Sequence, residues 1–315
     1  MRTQKLDVYN GAVNANVNNE YPTSKYAFRQ PCLHLVVGVR LSGKSFLVSK
    51  MLAQHKKDKT FDVIYFISPS FTSNKAYFEK YIKPENVFDP TADAIQKVID
   101  RVEKDRDEWE QFLQQKKQFE MFQSNMSKTH AYLDDDTLLA AYSFGWLDGQ
   151  RPKWKYEFEE PPKSLLVMDD ILQSPAISQS SGLTKLATLN RHICPLKETY
   201  KERSACGLAV IMLSQSYRMT NGISRVLREN LSLLTLFANK QQKQLDAIKE
   251  ELANVVDIKL FDKAFEYATR ERHGNLTVDF KSKCSTHVFR KNLNEVILFD
   301  ELQCNCKHEG PRKKS

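Results

Sequence analysis

Short, largely apolar runs recur along the chain, and polar or glycine-containing segments separate them. The clearest runs lie at residues 33–37, 61–67, 164–168, 207–213 and 231–237. Continuous apolar runs bounded by turn-forming residues are typical of strands buried on both faces, as in a parallel sheet. The segments between them carry apolar residues at helical spacing. The pattern therefore predicts an α/β fold with a mostly parallel central sheet flanked by helices.

The composition changes between the second and third runs. Residues 91–122 combine dense charge with apolar residues at positions such as Ile95, Val98 and Val102, which predicts an amphipathic helix. A second helical piece is predicted near residues 134–144, and a proline-containing loop at 146–162. We interpret residues 91–162 as a helical insertion into the sheet. Near the other end, residues 276–280 and 287–290 predict a C-terminal β-hairpin at the sheet edge.

The segment after the first run fits the phosphate-binding pattern GxxxxGK[ST]. Glycines let successive backbone N–H groups face one concavity, and the helix that follows directs its positive end there. Lys44 supplies a charge for the β- and γ-phosphates, and Ser45 a hydroxyl for Mg²⁺. A nucleoside triphosphate is therefore predicted to bind at Gly38, Val39, Arg40, Leu41, Ser42, Gly43, Lys44, Ser45 and Phe46.

Two further runs end in polar residues at positions where α/β sheets bind ligands. The run at 164–168 leads into Asp169 and Asp170, as in a Walker B strand. Asp169 would hold the Mg²⁺ shell, and Asp170 would orient or deprotonate the attacking water. The run at 207–213 leads into Ser214 and Gln215. Gln215 is placed to sense the γ-phosphate. Alternatively, its side chain caps the turn that follows the strand.

The overall composition limits the class of protein. The 315 residues are 41% hydrophobic, with a net charge of +8, which favours a polyanionic partner such as nucleic acid over a charge that serves solubility alone. The six cysteines have no regular spacing and, with no secretion signal, indicate a reducing compartment. No apolar run approaches the length of a membrane span. We expect a flexible lead-in at 1–30, one P-loop domain at 31–300, and a basic tail at 301–315, whose Cys304, Cys306 and His308 make a poor metal site.

Several motifs occur in one order: GVRLSGKS, LLVMDD, NRH, VIMLSQSY, RENLSLLTLFANKQQKQLDAIKEEL and LTVDF followed by FRKN. This ordered set, over residues 33–292, resembles the poxvirus-type DNA-packaging ATPases of nucleocytoplasmic large DNA viruses. Their relatives in virophages and Polinton-like elements, within the FtsK/HerA class of P-loop NTPases, are similar. The resemblance implies a ring, pentameric or hexameric, that uses ATP and Mg²⁺ to thread double-stranded DNA into a preformed capsid. It also implies docking at a capsid or portal vertex protein, in the host cytoplasm, a viral factory or the virion.

The resemblance also assigns roles to residues. Lys44 and Ser45 match Walker A, Asp169 and Asp170 match Walker B, and Gln215 matches the sensor. The class usually completes its site with an arginine from the neighbouring subunit. Arg191 is the first candidate for this arginine, and the others are Arg203, Arg225 and Arg228. Sequence-independent DNA contacts would come from basic residues, with Lys240, Lys243, Lys307, Arg312, Lys313 and Lys314 as candidates.

Three other readings of the residues stay open. A P-loop kinase of a small molecule or nucleoside would respond to a small acceptor, and it usually carries a short lid with clustered arginines. A GTPase would need Asn-Lys-x-Asp, whereas residues 239–242 read Asn-Lys-Gln-Gln. A non-enzymatic capsid or DNA-binding module would not need the intact set of Lys44, Ser45, Asp169 and Asp170.

Overall fold

The five predicted apolar runs become strands, whereas the short strands at Pro195–Tyr200, Arg203–Ala205 and Glu295–Val296 were not predicted. The computed structural model describes residues 19–21, 23–24, 27–127, 134–171, 174–178, 182–218, 223–238, 241–282 and 284–299. Its strands are β1 (Leu33–Val37), β2 (Val63–Ile67), β3 (Val87–Phe88), β4 (Ser164–Asp169), β5 (Pro195–Tyr200), β6 (Arg203–Ala205), β7 (Ala209–Ser214), β8 (Leu233–Phe237), β9 (Asn275–Asp279), β10 (Phe289–Lys291) and β11 (Glu295–Val296). All residues of β1, β4, β7 and β8 are buried, because helices cover both faces of the sheet.

Nine of these strands form one sheet, in the order β11-β10-β9-β8-β1-β7-β4-β2-β3. From β3 to β8 neighbouring strands are parallel, and β1 pairs with β7 at Leu33↔Val210 and with β8 at His34↔Leu233. Strands β9, β10 and β11 are each antiparallel to the preceding strand. The predicted α/β fold and the C-terminal hairpin, formed by β9 and β10, are therefore confirmed. A separate small hairpin pairs β5 with β6.

Helices cover the sheet on two sides. The helices of the described residues are α1 (Lys44–Asp58), α2 (Phe71–Phe78), α3 (Ala94–Met126), α4 (Asp135–Ser143), α5 (Pro175–Ser178), α6 (Gly182–Leu189), α7 (Arg225–Glu229), α8 (Gln242–Leu252) and α9 (Ile258–Thr269), with 3₁₀ turns at Pro84–Asn86, Trp146–Asp148 and Ser285–His287. Helices α1 and α2 pack on the face that carries Val36, whereas α3 and α6 to α9 pack on the face that carries Leu35. Successive strand residues point to opposite faces, so each strand supplies both cores.

The two helices predicted for residues 91–162 are confirmed as α3 and α4. The first turns of α3 bury Ile95, Val98 and Val102 in the core beside the sheet. Its last turns carry Phe119 and Phe122, which form a separate cluster with Trp146 and α4. The insertion is therefore joined to the sheet at one end and has its own small core at the other.

The end of the predicted lead-in differs from the prediction. Tyr21 and Phe28 are buried, and the Tyr21 hydroxyl donates to the carbonyl of Cys206 at 2.8 Å. The Asn19 side chain accepts a hydrogen bond from the Ser204 backbone N–H. Aromatic burial and these hydrogen bonds hold residues 19–21 and 27–30 on the domain, so flexibility up to residue 30 is wrong for this part. Residues 1–18 and the tail at 301–315 lie outside the described residues.

None of the helices in the described part of the chain is both long enough and apolar enough to cross a bilayer. The long helix α3 is densely charged. Cys32, Cys194, Cys206 and Cys284 are buried, and none of them forms a disulfide.

Candidate nucleotide-binding site

The glycine-containing loop joins the carboxyl end of β1 to the amino end of α1. Gly38 admits no side chain, because a Cβ there would lie 2.5 Å from Ser42 Oγ and 2.9 Å from Phe237 Cβ. Gly43 has φ +105°, in the left-handed region that favours glycine, and Leu41 has φ 64°. The loop therefore closes tightly over the end of the sheet, as a phosphate cradle requires.

Polar groups around this loop are available to a ligand. No side chain caps the start of α1, and its first turn carries no acidic residue. Ser42 Oγ is buried and has no hydrogen-bond partner among the described residues. The Lys44 ammonium donates to the carbonyls of Gly38 at 2.6 Å and Val39 at 3.0 Å. Backbone N–H groups at a helix start and a nearby ammonium together favour an anion.

Asp169, the last residue of β4, is 5% exposed. One of its carboxylate oxygens accepts a hydrogen bond from Asn74 Nδ2 at 2.8 Å. Burial and the neighbouring Asp170 raise the pKa of the Asp169 carboxyl to about 6, although Lys44 and Asn74 oppose the shift. Partial burial lowers the pKa of Lys44, while the two aspartates act to raise it. A buried Asp169 carboxylate beside the exposed Asp170 carboxylate, with one ammonium nearby, favours the arrival of a further cation.

Asp170 and Gln215 meet at the same edge of the sheet. Gln215 Nε2 donates to Asp170 Oδ1 at 3.0 Å, and both side chains are exposed. Asp170 has φ 54°, a conformation that aspartate tolerates better than most residues. The structure therefore brings together the predicted water-orienting residue and the predicted sensor, at the ends of β4 and β7.

The turn that carries Gln215 is anchored to α8. Gln244 accepts a hydrogen bond from the Tyr217 N–H at 3.2 Å and donates to Ser216 Oγ at 2.6 Å. The Tyr217 hydroxyl donates to Glu251 at 2.8 Å, and Arg228 pairs with the same carboxylate. These contacts fix the backbone on the carboxyl side of Gln215.

Asn74 and His273 were not predicted from the sequence. Asn74 lies in α2, which follows β2, the strand next to β4. A polar residue soon after a parallel strand was the signal that could have indicated it. His273 lies just before β9, and its Nδ1 donates to the carbonyl of Ser42 at 3.0 Å. Only the antiparallel pairing of β9 with β8 brings it to the loop.

The remaining predicted loop residues face outward. Val39, Arg40 and Leu41 are exposed, Leu41 most strongly at 87%. Phe46 is 53% exposed in the first turn of α1, and the Lys50 ammonium lies 4.8 Å from its ring centre. Nucleotide contacts by these side chains stay a prediction.

Arg191 lies far from the loop of its own chain. It borders a cavity with Pro31, two residues before β1, and Ser232, which immediately precedes β8. This is the amino edge of the sheet, and the length of β1, about 17 Å, separates it from Gly38. Arg191 can therefore act on a nucleotide only in a neighbouring subunit, which stays a prediction.

The other candidate arginines have structural partners. Arg203 is buried and donates to the carbonyls of Pro161, Pro162 and Cys206. Arg228 pairs with Glu251. Arg225 is exposed and pairs with Glu229 on the same helix. The candidate DNA contact Lys243 is exposed at the start of α8, and the other candidates, Lys240 and those in the tail, lie outside the described residues.

The residues present fit a magnesium nucleotide. The loop offers a cradle that a Cβ would fill, an unpartnered hydroxyl on Ser42 and an uncapped helix start. The Ser45 hydroxyl and the Asp169 carboxylate are hard oxygen ligands of the kind that Mg²⁺ prefers. Among the described residues, no three His, Cys, Asp or Glu side chains lie together as a metal-binding group.

No protein-family model matches the chain, and no curated protein matches it. Similar solved structures include the genome packaging NTPase B204 from Sulfolobus turreted icosahedral virus 2 in complex with ATP-gammaS. It is 13% identical to this chain, and the match covers 83% of this chain and 97% of B204, with a TM-score of 0.42. The pCW3 conjugation coupling protein TcpA has 16% identity, coverages of 86% and 61%, and a TM-score of 0.43. The Type VII secretion ATPase EccC of Thermomonospora curvata has 13% identity, coverages of 82% and 25%, and a TM-score of 0.36.

Proposed function

We propose that this chain is an ATP hydrolase that moves double-stranded DNA into a viral capsid. The ATPase part of the proposal rests on one observation: four polar side chains lie together at the carboxyl edge of the parallel strands. Lys44 lies on the loop after β1, Asp169 and Asp170 end β4, and Gln215 follows β7. Ligands bind at this edge in open α/β sheets, so the four side chains face one nucleotide.

Each residue has a definite task at that edge. Lys44 leaves the loop carbonyls and pairs with the β- and γ-phosphates. Ser45 and Asp169 would hold Mg²⁺, which would neutralise charge on the phosphates. Asp170 orients the attacking water and accepts its proton, while the hydrogen bond from Gln215 fixes the position of the Asp170 carboxylate.

The DNA-pumping part of the proposal is supported by two features. The net charge of +8 suits a polyanion, and the ordered motifs resemble DNA-packaging ATPases. In that scheme the subunits form a pentameric or hexameric ring at a capsid or portal vertex, in the host cytoplasm, a viral factory or the virion. Arg191 reaches the nucleotide of the next subunit, where it stabilises the charge that develops on the γ-phosphate.

The decisive experiment measures steady-state ATP hydrolysis with and without linear double-stranded DNA, at low and moderate salt. We expect DNA to stimulate hydrolysis and salt to reduce that stimulation, because phosphate contacts release counterions. Lys44→Ala should abolish hydrolysis. The matched control is Lys57→Ala, an exposed lysine in the last turn of the same helix, which should hydrolyse ATP like the wild type.

Other outcomes point elsewhere. Lys44-dependent hydrolysis that ignores DNA but rises with a small phosphate acceptor would identify a kinase. Absence of hydrolysis in a preparation shown to be a closed ring would favour a non-enzymatic capsid or DNA-binding module. Mixing Arg191→Ala with Lys44→Ala subunits then tests the shared site, since a trans arginine would let some mixed interfaces regain activity.

A further inference from the structure

The cavity that Arg191 borders lies at the amino edge of the sheet, opposite the glycine-containing loop. Its lining residues come from chain segments that flank strands: Glu20, Arg29, Gln30, Pro31, Arg191, Ser232 and Lys281. Gln30 and Pro31 precede β1, Ser232 precedes β8, and Lys281 follows the antiparallel β9. The sheet topology therefore gathers residues from as far apart in sequence as Glu20 and Lys281 into one recess.

The size and charge of the recess suit a small anion. Its volume is about 80 Å³, whereas a single water needs about 10–15 Å³ of such volume. Three of the lining side chains are cationic and one, Glu20, is anionic. Glu20 pairs with Arg29 at 3.2 Å, while Arg191 and Lys281 form no ion pair with any described residue. The recess therefore holds two cations that form no ion pair with a described carboxylate, although the Asp279 carboxylate accepts a hydrogen bond from the Lys281 backbone N–H.

A buried donor in the wall also lacks an acceptor. Gln30 is 1% exposed, and its Oε1 accepts a hydrogen bond from the Cys32 N–H at 3.1 Å. Its Nε2 has no hydrogen-bond partner among the described residues. The Ser232 hydroxyl accepts from the Leu33 N–H at 3.3 Å, which leaves its own hydrogen free to donate. A buried donor without an acceptor costs free energy that an oxygen-rich ligand would recover.

We propose that this recess is a phosphate-binding site, in which Arg191 and Lys281 supply the charge and Gln30 and Ser232 the neutral donors. The ligand is a phosphate group, carried either by the DNA backbone or by a free anion such as inorganic phosphate. Phosphate binding here requires no ATP hydrolysis, so this site can be tested independently of the proposed ATPase activity.

The first test measures the shift in melting temperature that inorganic phosphate produces in the full-length protein. The background is Lys44→Ala, which weakens phosphate binding at the loop, so that the second site dominates. We expect phosphate to raise the melting temperature in this background, because a ligand that binds only the folded state stabilises it. Adding Arg191→Gln and Lys281→Gln should weaken phosphate binding about tenfold or more, since charge-assisted hydrogen bonds are lost. Adding Arg151→Gln instead, an exposed arginine in the loop after α4, should leave the shift intact.

The second test identifies the source of the phosphate group. Fluorescence anisotropy with a duplex DNA gives the slope of log affinity against log salt for the same variants. If replacing Arg191 and Lys281 reduces the magnitude of this negative slope by about 1, the ligand is a DNA backbone phosphate. An unchanged slope, with the inorganic phosphate effect lost, identifies a free anion. Both results support the site, and they differ only in which ligand they identify.

Either of two results overturns the proposal. One is a phosphate-induced shift that persists in the Arg191→Gln and Lys281→Gln variant, and the other is no shift in the Lys44→Ala background. Melting temperatures without phosphate show whether the variants are folded. If the double replacement unfolds the protein, Lys281→Gln alone repeats the test, because Lys281 is exposed and lies outside the core.

Discussion

Replacing Asp169 by asparagine should stabilise the nucleotide-free protein while it abolishes hydrolysis. The Asp169 carboxyl is 5% exposed, next to Asp170, and its pKa is raised from 3.8 to about 6. At pH 7.5 that difference corresponds to about 3 kcal/mol of destabilisation of the folded state by the ionised carboxylate. The opposing attractions of Lys44 and Asn74 are already included in the pKa. Asparagine has nearly the same shape, keeps an oxygen acceptor for Asn74 Nδ2 and carries no charge.

The pH dependence has a definite sign. Below pH 3.8 the carboxyl is protonated in both folded and unfolded chains, and the ionisation penalty is absent. The penalty grows as pH rises from 3.8 to about 6, because the unfolded chain releases its proton first. Asp169→Asn should therefore exceed the wild type in unfolding free energy by about 3 kcal/mol at pH 7.5, and by less than about 1 kcal/mol at pH 4.

The assay is urea unfolding at both pH values, in EDTA and without nucleotide, with ATP hydrolysis measured in parallel. Asp246→Asn, an exposed aspartate on α8, is the control and should change stability by no more than about 0.5 kcal/mol. The reasoning is refuted if Asp169→Asn is less stable than the wild type at pH 7.5, or if its advantage is the same at pH 4.

Three further substitutions test the contacts around the loop. Gln215→Ala should lower kcat about 100-fold with little change in ATP affinity, because Gln215 fixes the catalytic carboxylate; a matching loss of affinity in equilibrium titration would contradict that role. His273→Ala removes the donor to the Ser42 carbonyl and should weaken ATP binding about fivefold, measured with a fluorescent nucleotide, whereas unaltered binding would show that the loop holds its shape unaided. Gly38→Ala should cost about 1–3 kcal/mol in urea unfolding, because its Cβ would lie 2.9 Å from Phe237 Cβ, which cannot rotate away as Ser42 Oγ can. Gly149→Ala is the comparison, since a Cβ at Gly149 meets nothing within 4 Å and only its φ of +81° is unfavourable; equal costs would count against the steric explanation.

The sequence was sufficient for the buried parallel strands and for the residues that directly follow them, but not for the short strands β5, β6 and β11. A parallel strand buried on both faces is almost wholly apolar, so β1, β4, β7 and β8 appear as runs. Residues that follow such strands share one edge, which places Asp169, Asp170 and Gln215 together without knowledge of the strand order. Periodicity was equally sufficient for α3, whose apolar face packs on the sheet.

Contacts that depend on strand order were beyond the sequence. Asn74 reaches Asp169 because β2 lies beside β4, and His273 reaches the loop because β9 lies antiparallel to β8. Arg191 shows the same limit, since it follows α6, which returns the chain to the amino edge. Its position between two motifs in the sequence says nothing about the edge of the sheet at which it lies.

The strand order also has a consequence for synthesis on the ribosome. Strand β1 is made early, but its two partners are β7 and β8, and Leu33 first meets Val210. At about 5–20 residues per second, roughly 10–40 s pass before β7 leaves the ribosome. Throughout that time the nascent chain carries an apolar strand without its neighbours. The loop that holds Lys44 is therefore synthesised long before β7 and β8 are available to support its folded conformation. Chaperones that shield β1 would act in that interval.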